Sequence, residues 1–149
     1  MGLLSQQVSE NEALIWGGCL IRIFLVDDSE VARTAIKAVL HQRSEWLVVG
    51  EAFNGRHAVE TFLHHMPHLT VMDFLMPVMN GLDAARHLTQ RHPDVLILMI
   101  TSDPSRELEI EARAAGIKGL CAKHELPCLF KAVETVMGGG TYFSEDAAA

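Results

Sequence analysis

Basic residues are scarce in this chain. Twelve Lys and Arg stand against nineteen Asp and Glu, giving a formal net charge of −7. Phosphate backbones are held by clustered Lys and Arg, so this balance excludes a surface that binds nucleic acid unaided. Cysteine occurs only three times, as Cys19, Cys121 and Cys128. The number is odd and the spacing is not that of a metal site, which points to reduced, buried thiols in a cytoplasmic chain. Long apolar runs are missing as well. The stretch from Ala13 to Val26 is broken by Arg22 and falls short of the ~20 residues that a membrane span requires. The residues before it carry Glu10 and Glu12 and no Lys or Arg, so the basic start of a signal peptide is lacking. Gln6 stands where a myristoylation signal needs Ser or Thr. A soluble protein is expected.

What is present suffices for one ordinary domain. The chain has 149 residues, 49% of them hydrophobic and 21% charged, which is apolar enough for a core and too little charged for disorder. Five short apolar runs alternate with helix-like segments: Ile21–Val26, Leu47–Ala52, Leu69–Met72, Val95–Ile100 and Ile117–Ala122. Most are continuously apolar, as strands covered on both faces are in a parallel sheet. Between the runs, Ala32, Ala35, Ile36, Val39 and Leu40 keep helical spacing, and so approximately do Leu126, Leu129, Phe130, Val133 and Met137. Ser29 is a helix cap with Glu30 in the first turn, Asn54-Gly55 breaks the chain after the second run, Pro67 ends the second helix, and Gly116 is a C-cap. This order predicts an α/β domain: a doubly wound five-stranded parallel sheet in the flavodoxin-like order 2-1-3-4-5, with helices on both faces. Residues 1–20 lie outside the repeating units, and Leu14, Ile15 and Trp16 fit either a short packed helix or a flexible arm.

The polar residues of interest gather at strand ends. Asp27 and Asp28 follow the first run, Asp73 the third, Thr101 the fourth and Lys123 the fifth. Binding crevices of open α/β sheets lie outside the carboxyl ends of the strands, where the strand order reverses. In the order 2-1-3-4-5, Asp73 falls between the acidic pair and Thr101, with Lys123 arriving from the edge. Packed carboxylates repel unless a cation neutralises them, and oxygen ligands without His or Cys suit Mg²⁺. Metal and Lys123 would offset charge on a transferring phosphoryl group, Thr101 would bond one of its oxygens, and Asp73 would be the nucleophile.

Each element also has an ordinary explanation. An acidic pair can be the Asp-rich start of a helix, Asp73 a turn former, Thr101 an N-cap for the segment after Pro104, and Lys123 a solvated surface residue. Their registration at one rim favours function. His64, His65 and His68 read as exposed helix-end residues instead of a metal cluster, because Pro67 breaks the helix that would align them. Met72, Met76 and Met79 read as packing, and Cys121 and Cys128 as unreactive thiols.

The string Val71-Met72-Asp73-Phe74-Leu75-Met76-Pro77-Val78-Met79-Asn80-Gly81 closely resembles the phosphorylation-site signature of response-regulator receiver domains. Leu25-Val26-Asp27-Asp28-Ser29 resembles their acidic pair, Ile100-Thr101-Ser102 their switch Thr, and Ala122-Lys123 their Lys. The resemblance covers residues 21–138, with 1–20 as an N-terminal extension and 139–149 as a linker stub. The stretch Gly138-Gly139-Gly140-Thr141-Tyr142-Phe143-Ser144 resembles the junction that precedes a helix-turn-helix domain in the NarL/FixJ class. It implies phosphorylation of Asp73 by a sensor histidine kinase and Mg²⁺ held at Asp27, Asp28, Asp73 and Leu75, Asp27 acting through water. A homodimer is a possible assembly, and DNA would be reached only through an output domain, in transcription regulation. The domain would not be an enzyme beyond its own phosphoryl transfer and slow dephosphorylation. Two positions depart from the pattern: Leu120 replaces the usual Tyr or Phe, and His124 replaces the Pro after the Lys. The competing expectation is a Mg²⁺-dependent phosphohydrolase of the haloacid-dehalogenase type, which also uses a strand-end Asp but places it, as Asp-x-Asp, after the first strand. A flavin-binding module is disfavoured because no phosphate-cradling loop follows the first run.

Overall fold

The computed structural model describes residues 20–144. The expectations for Leu14–Trp16 and for Cys19 lie outside the described residues. Strands β1 (Ile21–Val26), β2 (Trp46–Ala52), β3 (Leu69–Asp73), β4 (Ile97–Thr101) and β5 (Gly119–Ala122) alternate with helices α1 (Glu30–Leu40), α2 (Gly55–His65), α3 (Gly81–Arg91), α4 (Arg106–Ala114) and α5 (Cys128–Met137). The strands are parallel and ordered β2-β1-β3-β4-β5, the expected arrangement. A short 3₁₀ turn, Lys123–Glu125, joins β5 to α5.

Continuously apolar strands build two cores because successive side chains point to opposite faces of the sheet. Phe24, Val26, Met72, Ile97, Met99 and Leu120 pack under α2, α3 and α4. Ile23, Leu25, Leu69, Val71, Leu98, Ile100 and Cys121 pack under α1 and α5. Helix starts follow local chemistry: Ser29, Asn54, Asn80 and Ser105 each accept a hydrogen bond from the backbone N–H three residues on. Ser105, not Thr101, therefore caps the helix after Pro104, which leaves the Thr101 side chain for the rim.

Element edges depart from expectation in small ways. β4 starts at Ile97 because Val95 is taken into a turn, its N–H donating to the His92 carbonyl. Ahead of β5, the Ile117 N–H closes α4 by donating to Ala112. Pro67 follows a helix that has already closed, with Met66 in the left-handed conformation at φ 47°.

The three histidines do not share one environment. His64 and His68 are exposed, but His65 is half-buried, its ring 4.8 Å from that of Phe24. Arg22 turns this helix end inward, donating to the carbonyls of His65 (2.8 Å) and Met66 (3.2 Å). Gly50 makes the room: a Cβ there would stand 2.3 Å from the His65 ring. Burial, reinforced by the neighbouring His64 and His57, holds the His65 imidazole below its ordinary pKa. Cys128 is likewise half-buried instead of fully buried, because it opens α5 at the sheet rim. Met72 is buried, and Met76 and Met79 pack against the same core, as expected.

The chain after α5 does not simply lead away. Tyr142 pairs with Gly119 in a parallel bridge. Leu120 N–H donates to the Tyr142 carbonyl (2.8 Å), and Tyr142 N–H donates to Lys118 (2.9 Å). Phe143 is buried in the core with Leu120, under the Arg113 guanidinium at 4.1 Å. Ser144 donates to Glu109 through its N–H (2.8 Å) and its hydroxyl (2.6 Å). Residues 139–144 thus lay an anchored segment along the free edge of β5.

Candidate functional site

Asp27 extends β1, its N–H donating to the Ala52 carbonyl on the neighbouring strand (3.1 Å). Its side chain is buried, and Oδ1 accepts from the Ser29 N–H at 2.9 Å. Asp28, one residue on, is exposed. Asp73 is the last residue of β3 and is 4% exposed. Phe74 N–H donates to Ile100, and Gly81 N–H donates back to the Phe74 carbonyl at 2.7 Å, folding the next loop tightly over the strand end. Gly81 is required there, since a Cβ would meet the Asp73 carbonyl oxygen at 2.1 Å. Leu75 lies in this loop with its side chain exposed, so any ligand atom it contributes is its main-chain oxygen.

Thr101 ends β4, buried, beside Ala122 of β5 in register. Its hydroxyl accepts from the Asp103 N–H (3.2 Å). Lys123 crosses from the edge strand to both buried carboxylates, its Nζ 2.7 Å from Asp27 Oδ2 and 3.1 Å from Asp73 Oδ2. The fold therefore brings Asp27, Asp28, Asp73, Thr101 and Lys123 to one rim.

Electrostatics at the rim are strained in a definite direction. Burial, and then the negative charge of Asp27, push the Asp73 carboxyl up from 3.8 to about 6, with Lys123 opposing and Asp28 adding to the rise. For Lys123, burial pulls the ammonium down, but the two carboxylates, Asp27 foremost, outweigh it and raise its pKa. Asp27 Oδ2 is buried, facing the Lys123 ammonium at 2.7 Å and no further hydrogen-bond donor among the described residues. Carboxylate oxygens of Asp27, Asp28 and Asp73 all lie within 4.8 Å of one another. Three acidic groups, one with a lone pair still unsatisfied and one reaching solvent, fit a hard divalent cation with room for water.

Sequence reasoning missed Arg33. Its guanidinium donates to the Asp27 carbonyl (2.6 Å) and to Glu51 Oε1 (3.0 Å), and Glu51 is also paired with Lys37 at 3.1 Å. This cross-strand clamp fixes the acidic loop; an Arg one turn past the acidic pair was its only sequence signal.

The family model for the response regulator receiver domain matches residues 23–134. The chain belongs to the response regulator receiver family. Among its relatives, this receiver is 31% identical over 140 residues to the transcriptional regulatory protein DegU of Brevibacillus brevis, covering 93% of this chain and 56% of that protein. It is 32% identical over 130 residues to the response regulator UvrY of Escherichia coli K12, covering 87% and 60%. Among solved structures, the two-component response regulator of the LuxR family from Aurantimonas sp. SI85-9A1 superposes with a TM-score of 0.81 at 29% identity, covering 86% of this chain and 92% of that one. The receiver thus spans little more than half the length of the curated regulators it matches. The haloacid-dehalogenase alternative finds no support in these relationships, and the buried acid that opens the rim follows β1 as an adjacent pair, not as Asp-x-Asp. Receiver domains are phosphoryl-accepting regulators and not enzymes in the usual sense, and no described helix is long and apolar enough to cross a membrane.

Proposed function

We propose that this receiver accepts a phosphoryl group on Asp73 from a sensor histidine kinase and passes the change to an output that regulates transcription. The observation that carries the reading is Lys123, paired at once with Asp27 and Asp73. An ammonium at this position neutralises the nucleophile's surroundings before transfer and the phosphoryl oxygens after it.

Asp28 and Asp73, with Asp27 through water and the Leu75 carbonyl, would hold Mg²⁺, which when bound offsets charge on the phosphoryl oxygens. The residues supply the rest. An Asp73 carboxylate oxygen attacks phosphorus in line, the bond to the kinase imidazole breaks, and an aspartyl phosphate remains. Lys123 then turns from the Asp73 carboxylate to the new oxygens. The Thr101 hydroxyl exchanges its acceptor role toward Asp103 for donation to the same group, drawing the β4–α4 loop inward. β5 lies next to β4 and carries the 139–144 segment on its outer edge, so this shift is communicated toward whatever follows the domain. Residues 21–138 are the receiver in this reading and the segment after them leads to an output domain, through which alone DNA would be engaged, with a homodimer as the active assembly.

Incubation with acetyl phosphate and Mg²⁺ tests the proposal. One phosphoryl group is expected on the parent chain, none on Asp73→Asn, and continued labelling of Thr101→Ala with loss of phosphorylation-induced dimerisation. Labelling of Asp73→Asn at the parent rate refutes the assignment.

A further inference from the structure

The receiver mechanism leaves one reactive cluster unused: the two thiols flanking the turn that carries Lys123. Cys121 ends the buried part of β5, Cys128 opens α5, and Ala122–Pro127 lie between them. The two thiols are neighbours that act on each other's ionisation. Both cysteines line a solvent-open cavity of about 460 Å³ that Tyr142–Ser144 also line.

The two positions are unequal. Cys128 is half-buried at the N-terminus of a helix, and Cys121 is buried. Cys128 is the first residue of its helix, and the helix end favours negative charge there. The Cys121 hydrogen bond, outweighing burial and the Glu125 carboxylate, lowers the Cys128 pKa, while Cys121 itself is raised. An accessible, thiolate-prone cysteine with a second thiol in contact is the arrangement of a reversible oxidation site.

We propose that Cys128 and Cys121 form a peroxide-oxidisable pair whose disulfide closes a ring around Lys123. The Cys128 thiolate attacks one oxygen of a hydroperoxide and the O–O bond breaks. With hydrogen peroxide the leaving hydroxide takes up a proton, giving water and a sulfenic acid on Cys128. The Cys121 sulfur then attacks the Cys128 sulfur and the S–O bond breaks. The departing hydroxide takes the Cys121 proton as a second water. Two thiols are oxidised by two electrons, and one peroxide is reduced to two waters. The ring contains Ala122 and Lys123, so oxidation restrains the ammonium that must turn from Asp73 to a phosphoryl group; that consequence rests on the receiver reading, whereas the thiol chemistry does not.

The test uses the whole chain in a Cys19→Ser background, treated with hydrogen peroxide, alkylated, digested without reductant and weighed. A Cys121–Cys128 linked peptide is expected, lost in Cys128→Ser, with a dimedone adduct on Cys128 in Cys121→Ser. Without any substitution at the pair, Cys128 should alkylate at least tenfold faster than Cys121 in the native chain. Absence of the linked peptide, or equal alkylation rates, overturns the pair. The oxidised chain should take phosphoryl from acetyl phosphate at least fivefold more slowly and recover with dithiothreitol. An unchanged rate overturns the restraint on Lys123. A reduced chain that is never labelled counts instead against the receiver reading, and leaves the peptide result to judge the thiols.

Discussion

Replacing Asp73 by Asn should stabilise the metal-free domain at neutral pH, because the site keeps a carboxylate ionised where it is poorly solvated. Burial and Asp27 lift its pKa from 3.8 to about 6. At about 1.4 kcal/mol per pH unit, ionising it in the folded state costs up to about 3 kcal/mol relative to the unfolded chain. A raised carboxyl makes the folded state bind the extra proton, so its stability is full below about pH 4 and falls as pH rises through about 6. Asn carries no charge and escapes the loss. Urea unfolding in EDTA at pH 4, 5, 6, 7 and 8 should therefore show two curves that meet near pH 4 and separate by up to about 3 kcal/mol at pH 8. With a urea slope of about 1–3 kcal/mol per M, the midpoints at pH 8 differ by roughly 1 M or more. Glu51, whose pKa is lowered by Lys37 and Arg33 against the pull of burial, loses its contribution as pH falls. His65, lowered chiefly by burial, contributes in the same sense, its cost growing as pH falls below its ordinary value. Both cancel when the two proteins are compared at each pH. Added Mg²⁺ should narrow the gap by stabilising the parent alone. An Asn variant no more stable than the parent at pH 8, or a gap that stays constant down to pH 4, would refute the reasoning.

Other outcomes follow from the same geometry. Asp28→Ala, at an exposed position, should leave stability within about 0.5 kcal/mol while weakening Mg²⁺ binding at least tenfold; unchanged affinity by titration would remove Asp28 from the site. Phe143→Ala should destabilise by about 3 kcal/mol, because the ring is 1% exposed, and a loss under 0.5 kcal/mol in urea unfolding would show that the segment after α5 is not anchored. Val78 holds φ 70°, which costs a residue with a Cβ about 1–2 kcal/mol, so Val78→Gly should raise the urea midpoint; a lowered midpoint would mean that the turn does not hold this conformation in solution.

Sequence alone determined the order of elements and the rim on which the chemistry sits. Both follow from local rules: apolar runs such as Leu69–Met72 mark strands buried on both faces, Ser29 and Asn54 mark helix starts, and strand ends in a parallel sheet share one edge. Which side chains meet across that edge was not legible. Asp27 and Lys123 are 2.7 Å apart although β3 and β4 lie between β1 and β5, because the Lys side chain reaches across the strand ends, and only packing buried Asp27 while leaving its neighbour Asp28 in solvent. Arg33 on the Asp27 carbonyl, His65 folded over Gly50, Cys121 facing Cys128, and Phe143 seated beside Leu120 are of the same kind. A run of glycines predicts a break in the chain, and Gly138–Gly140 supply it. Whether the residues beyond return to the domain depends on an unpaired strand edge and a cavity between α4 and β5, and those exist only once the sheet has formed.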